Sequence, residues 1–137
     1  MTSPTIAPPL SGGIIGSSGD AFMIAEWADE GGGFDPPRLI APIHVHHDDD
    51  EAWYVLEGVL CIRRGDEVIE CRAGAGVFVP HGVKHTYWNP GAEPARYLLT
   101  MTANIFRLIE AIHNMPDRSA DALRALFGEH ASELLDC

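Results

Sequence analysis

His44, His46, Glu51 and His85 are four side chains whose types and spacing could hold a divalent cation. Alternate residues of a β-strand share a face, so His44 and His46 are aimed at one point while Val45 turns to the other side of the sheet. With residues 47–50 as the tip of a hairpin, Glu51 stands opposite His46 and Trp53 opposite His44, which brings a carboxylate onto the imidazole face. His85, arriving from a neighbouring strand, completes a set of three nitrogens and one oxygen. Burying two imidazoles beside a carboxylate without an ion is costly, which favours ligation over a pair of core histidines. Three neutral imidazoles and one carboxylate leave a divalent ion with net positive charge and, in octahedral geometry, with open positions where a substrate oxygen can be polarised or a water activated. The expected cofactor is one divalent transition metal per chain (Fe, Mn, Ni, Cu or Zn), with Zn or Ni the forms expected as purified.

Around that set, Trp53 and Tyr87 share the inward parity of Glu51 and His85, and Phe78 is placed with them, giving an aromatic, largely apolar substrate pocket. Glu51 and Tyr87 are the candidate catalytic residues. His47 has the wrong parity and belongs to the turn. His81 falls in a solvated loop beside Gly82, and His113 and His130, far along the chain, are assigned no role. Asp48, Asp49 and Asp50 form a solvated loop tip whose charge attracts cations and discourages anions. Neither a Ser/His/Asp triad nor a phosphate-cradling loop is present.

The elements that must position these groups are short strands. Apolar alternation marks strands at about 21–27, 38–46, 51–57, 59–64, 67–71, 76–80, 84–89 and 95–101, punctuated by Asp48 to Asp50, Gly58, Gly65-Asp66, Gly74 to Gly76, His81-Gly82 and Asn89-Pro90-Gly91. Many short strands without helical spacing between them argue for an all-β fold, a double-sheet jelly-roll barrel with room for a central site. After Met101 the period lengthens. Ile105, Leu108, Ile109 and Ile112 predict a helix ending near Pro116, and Ser119 caps a second one carrying Leu123, Leu126 and Phe127. A last helical turn over Ser132 to Leu135 follows. The division is a flexible arm over residues 1–13, a barrel over 14–101 and a helical extension over 102–137, the last a lid over the outer sheet or a dimer contact.

The spacings resemble a known family. His44-x-His46, four residues, Glu51, six residues and Gly58, followed by Gly74, five residues, Pro80-x-Gly82, two residues, His85, three residues and Asn89, resemble the two motifs of the cupin superfamily. The first departs at its opening glycine, where Arg38 stands; the second matches throughout. The helical tail is loosely similar to that of quercetin 2,3-dioxygenase-like cupins. The resemblance implies a double-stranded β-helix, a single-domain metal-dependent protein and a homodimer. The chemistry it implies is dioxygenation of a small aromatic or enolic substrate. Metal-dependent isomerisation or cyclisation, and non-catalytic binding of a small ligand, are the alternatives.

Composition argues against some partners, and the small-molecule substrate is what the resemblance implies. With 137 residues the chain is the size of one domain. A net charge of −11 with only nine Lys and Arg argues against nucleic acid. No apolar run approaches the roughly 20 residues of a membrane helix, and the start carries no secretory signal, so a cytoplasmic location is expected. Cys61 and Cys71 read as small buried apolar residues on paired strands, not a disulfide, and Cys137 as an exposed thiol.

Overall fold

The structure, a computed structural model, describes residues 7, 12–17 and 19–135. Most of the arm expected over residues 1–13, and Cys137, lie outside the described residues. The strands are β1 (Ile14–Ile15), β2 (Phe22–Asp29), β3 (Leu39–His46), β4 (Glu51–Glu57), β5 (Val59–Arg64), β6 (Glu67–Arg72), β7 (Gly76–Val79), β8 (His85–Trp88) and β9 (Ala95–Thr102). Helices α1 (Ala103–Asn114) and α2 (Ala120–Glu129) and a short strand β10 (Ser132–Leu134) follow. Two five-stranded antiparallel sheets, ordered β1-β2-β9-β4-β7 and β10-β3-β8-β5-β6, face each other as a double-stranded β-helix.

The sandwich follows from period-two patterning. In β9, Ala95, Tyr97, Leu99 and Met101 are buried while the intervening residues are half-exposed. In β4, Glu51, Trp53 and Val55 turn inward. Val55, Leu60, Ile62 and Ala25 are fully buried between the sheets, each large side chain contributing about 1.5–3 kcal/mol of apolar burial. Gly58 is required where β4 passes to β5: its φ is +77°, and a Cβ there would meet Pro94 O at 2.5 Å.

Two expectations fail. β3 and β4 do not form a hairpin but lie in different sheets, β3 between β10 and β8, and β4 between β9 and β7. Residues 47–50, His-Asp-Asp-Asp, contain none of the glycine that a tight hairpin turn demands, and β4 instead pairs with β9 from Glu51↔Met101 onward. Nor do residues 132–135 continue as helix. Ala131, at φ 52°, turns the chain after α2, and β10 then pairs with β3, covering an edge that would otherwise be open. The helices cap as expected, Thr102 accepting from Ile105 N and Ser119 from Ala122 N. They pack together, α1 against β2 and β9 of one sheet and α2 against β10 of the other. No helix among the described residues is long and apolar enough to cross a membrane.

Candidate metal centre

His44 is aimed by a defect in its strand. Between Ala41 and His44, β3 uses three steps where its partner β8 uses two, from Tyr87 to His85, so one extra residue bulges at the proline-containing stretch. The bulge sets His44 directly opposite His85, and Thr86 Oγ1 pins its start by donating to Ala41 O at 2.6 Å. His46 pairs across the other edge with Ser132. The loop before His85 is held by Gly82 N–H donating to His46 O (2.8 Å) and by Asp50, whose carboxylate accepts from His81 N (2.7 Å). That backbone bond, with the His81 ring beside it, holds the Asp50 carboxyl below its ordinary value. Glu51 arrives from β4 in the facing sheet.

These elements bring together the predicted ligands. One ligand atom from each of His44, His46, Glu51 and His85 lies within 4.8 Å of all the others, and all four residues are buried. His44 Nδ1 donates to Pro42 O (2.5 Å) and His85 Nδ1 to Val83 O (2.9 Å), because a carbonyl can only accept. His46 Nδ1 lies 2.7 Å from Ser132 Oγ; that hydroxyl gives its single proton to His130 O (3.0 Å) and so accepts from the ring. The Nδ1 protons are thereby committed and the Nε2 atoms turn inward.

Electrostatics bear on what the four groups can hold. Burial, reinforced by His85 and His46, depresses His44 to a pKa of about 3, so its Nε2 carries a lone pair. That atom faces His46 Nε2 at 3.1 Å. Burial pushes the Glu51 carboxyl up, but bonds from His46 and His85 outweigh it and hold the group well below the usual carboxylate range. Burial lowers His85, yet its bond to Glu51 Oε1 (2.5 Å) leaves it raised overall. A divalent cation would engage all four groups and take the place of the protons that now hold His85 and His46 to Glu51. The residues present therefore fit a metal.

A cavity of about 340 Å³ opens onto these atoms. Trp53, Tyr87, Tyr97 and Leu99 wall it from the barrel, as do Ile105, Leu108, Ile109 and Ile112 of α1 and Phe127 of α2. Trp53 and Tyr87 stand where parity placed them. Phe78 does not: Val79 pairs with Glu51 and Val77 with Trp53, so Phe78, opposite Ala52, points outward and is 53% exposed. Sequence reasoning also missed Tyr97, Phe127, Ser132 and His113. His113 lines the cavity from the end of α1, a place signalled by its i+4 spacing from Ile109. The helical extension is thus a wall of the cavity, not a cover on the outer sheet.

Tyr87 and Tyr97 bond hydroxyl to hydroxyl at 2.9 Å. Burial pushes Tyr97 up to about 12 and raises Tyr87 well above its ordinary value, so both remain neutral phenols. Among the described residues, none lining the cavity is Lys or Arg. His47 and His81 are exposed, as expected, and pair with Glu133 and Asp50. Cys61 and Cys71 are free: Cys71 is buried opposite Leu60, whereas Cys61 sits opposite Glu70 and turns to the other face of the sheet.

Comparison with known proteins agrees with this architecture. A family model of the cupin domain, Cupin_2, matches residues 33–101. The solved structure of TT1209 from Thermus thermophilus shares 27% identity, covering 60% of this chain and 72% of that one, with a TM-score of 0.52. A putative sugar phosphate isomerase from Acidithiobacillus ferrooxidans shares 25%, covering 61% and 51%, also at 0.52. The xanthan biosynthesis protein XanB of Xanthomonas campestris is 34% identical over 58 residues, 42% of this chain but only 12% of that protein.

Proposed function

The chain belongs to the cupin domain family, and on that footing we propose that it is a metal-dependent enzyme carrying out dioxygenation of a small, uncharged aromatic or enolic molecule. The observation that carries this reading is the cavity itself, which opens directly on the three-histidine, one-glutamate set and is otherwise bounded by aliphatic and aromatic side chains and by His113. When bound, a divalent transition metal would supply Lewis-acid polarisation of a chelating substrate oxygen and the redox capacity that addition of both atoms of O2 requires. His44, His46, Glu51 and His85 would hold it. The protein's own share is binding and orientation: Trp53 and Tyr87, packed together at 5.2 Å, offer aromatic surface to a flat ring, Leu108 and Phe127 exclude water, and the ionised Glu51, held by His85, is the one carboxylate lining the cavity among the described residues.

The runner-up is isomerisation or cyclisation with the metal as Lewis acid alone, which the Acidithiobacillus neighbour, named as a putative sugar phosphate isomerase, favours. A phosphorylated substrate, however, calls for guanidinium, ammonium or clustered N–H donors, and the cavity lining offers neither Lys nor Arg. An oxygen electrode decides between them. The Fe, Mn and Ni forms, offered flavonols, catechols and β-diketones, are expected to consume O2 in step with loss of at least one substrate. Substrate turned over without O2 uptake would favour the isomerase. A ligand bound tightly and recovered unchanged would favour a binding protein. A cytoplasmic homodimer is part of the same proposal, tested by sedimentation equilibrium.

A further inference from the structure

We propose that β10 is a built-in part of the metal centre and that Ser132 is a positioning residue for His46. This rests on the metal-dependent reading above. The family match ends at Met101, yet the chain returns thirty residues later to run beside the ligand strand, with Ser132 opposite His46 and Leu134 opposite His44. Ser132 Oγ accepts a hydrogen bond from His46 Nδ1–H and its own O–H donates to His130 O, which also accepts from Asn104 Nδ2 at 2.8 Å. Asn104 Nδ2, in the first turn of α1, bonds Asp49 Oδ2 as well, at 2.8 Å. The orientation of one imidazole is thereby tied to the helix that walls the cavity and to the loop leading into Glu51.

Two further observations belong to the same segment. Ala131 holds a left-handed backbone, φ 52°, unusual without glycine, and its carbonyl accepts from His47 N at 2.8 Å. Phe127 meets the His44 ring edge to face, centroids 5.6 Å apart. Segment 127–135 therefore supports two of the three histidines. Without the Ser132 hydroxyl the buried Nδ1–H of His46 loses its acceptor, and the ring is free to turn or to move its proton to the nitrogen the metal needs.

The full-length protein tests this by Zn2+ affinity, measured in competition with a chromophoric chelator, and by the Co2+ absorption spectrum. Ser132→Ala is expected to weaken Zn2+ binding by about ten- to a hundredfold and to alter the Co2+ bands. Ser132→Thr, which keeps the hydroxyl, is expected to bind as wild type does, whereas Ser132→Val, of the same shape without it, behaves like Ser132→Ala. Ser132→Ala with wild-type affinity and spectrum, or Ser132→Thr and Ser132→Val equally impaired, overturns the inference. Wild-type protein that takes up no metal overturns the metal reading along with it.

Discussion

The Nε2 atoms of His44 and His46 face each other at 3.1 Å while the Nδ1 proton of each ring is given elsewhere, to Pro42 O and to Ser132 Oγ. Both rings thereby turn Nε2 inward, beside His85 and the Glu51 carboxylate, and this donor set suits a cation. Protein purified without a metal-affinity tag is expected to carry about one transition metal per chain, and His46→Ala or His85→Ala to carry almost none, by elemental analysis. In thermal unfolding, Zn2+ at a hundred times its Kd should add about 2.7 kcal/mol to the wild type and nothing to His85→Ala.

Acid should release the metal. The folded pKa of His85 lies above its ordinary 6.5, so as pH falls through that raised value a proton competes for the same Nε2 and affinity drops. His44 acts on the fold instead. Its pKa of about 3 in the folded chain, against 6.5 ordinarily, means the unfolded chain binds the proton first, so this residue withdraws stability from the metal-free protein as pH falls below 6.5. Zn2+ titrations from neutral to mildly acidic pH, and metal-free unfolding over the same range, read the two effects separately.

The alternation of apolar residues carried most of the fold and the shared face of His44 and His46, because both are local consequences of strand geometry, whereas Glu51 and His85 were legible through the motif spacing alone, the hairpin that was to place Glu51 not forming. What escaped depends on distant pairing. Residues 47–50 have turn chemistry without a hairpin signal, and nothing in them says that the next strand joins the facing sheet. Phe78 was placed inward although Val77 and Val79, the β-branched residues flanking it, mark the buried phase once β7 is registered on β4. Ser132 lies 86 positions from the ring it holds, in a strand of three residues too short to show any period.

Phe127 and Phe78 give opposite outcomes on truncation. Phe127 is 2% exposed and packs against the cavity and His44, so Phe127→Ala should cost about 3–5 kcal/mol in urea unfolding. Phe78→Ala, on the outer face, should cost no more than about 1 kcal/mol and leave Zn2+ affinity unchanged. A large loss of Zn2+ binding in Phe78→Ala would contradict its placement.

Alkali should find two tyrosines reluctant. Tyr97 is pushed up to about 12 and Tyr87 is raised as well, so both phenols keep their protons after the unfolded chain, near 10, would have lost them. Stability contributed by the pair is therefore present below pH 10 and drains away as pH rises toward 12. Ultraviolet titration of Tyr87→Phe and Tyr97→Phe proteins, followed alongside circular dichroism, should show phenolate from these positions appearing only with loss of the fold.

Glu51 hangs from one sheet and the three histidines from the other. An ion gripped by all four would act as a rivet through the sandwich, fastening its halves at the rim where α1 and α2 wall the cavity. Chelation would then loosen that rim before the turn at Gly58, at the opposite end of β4, and the entrance would widen soonest when the rivet is drawn.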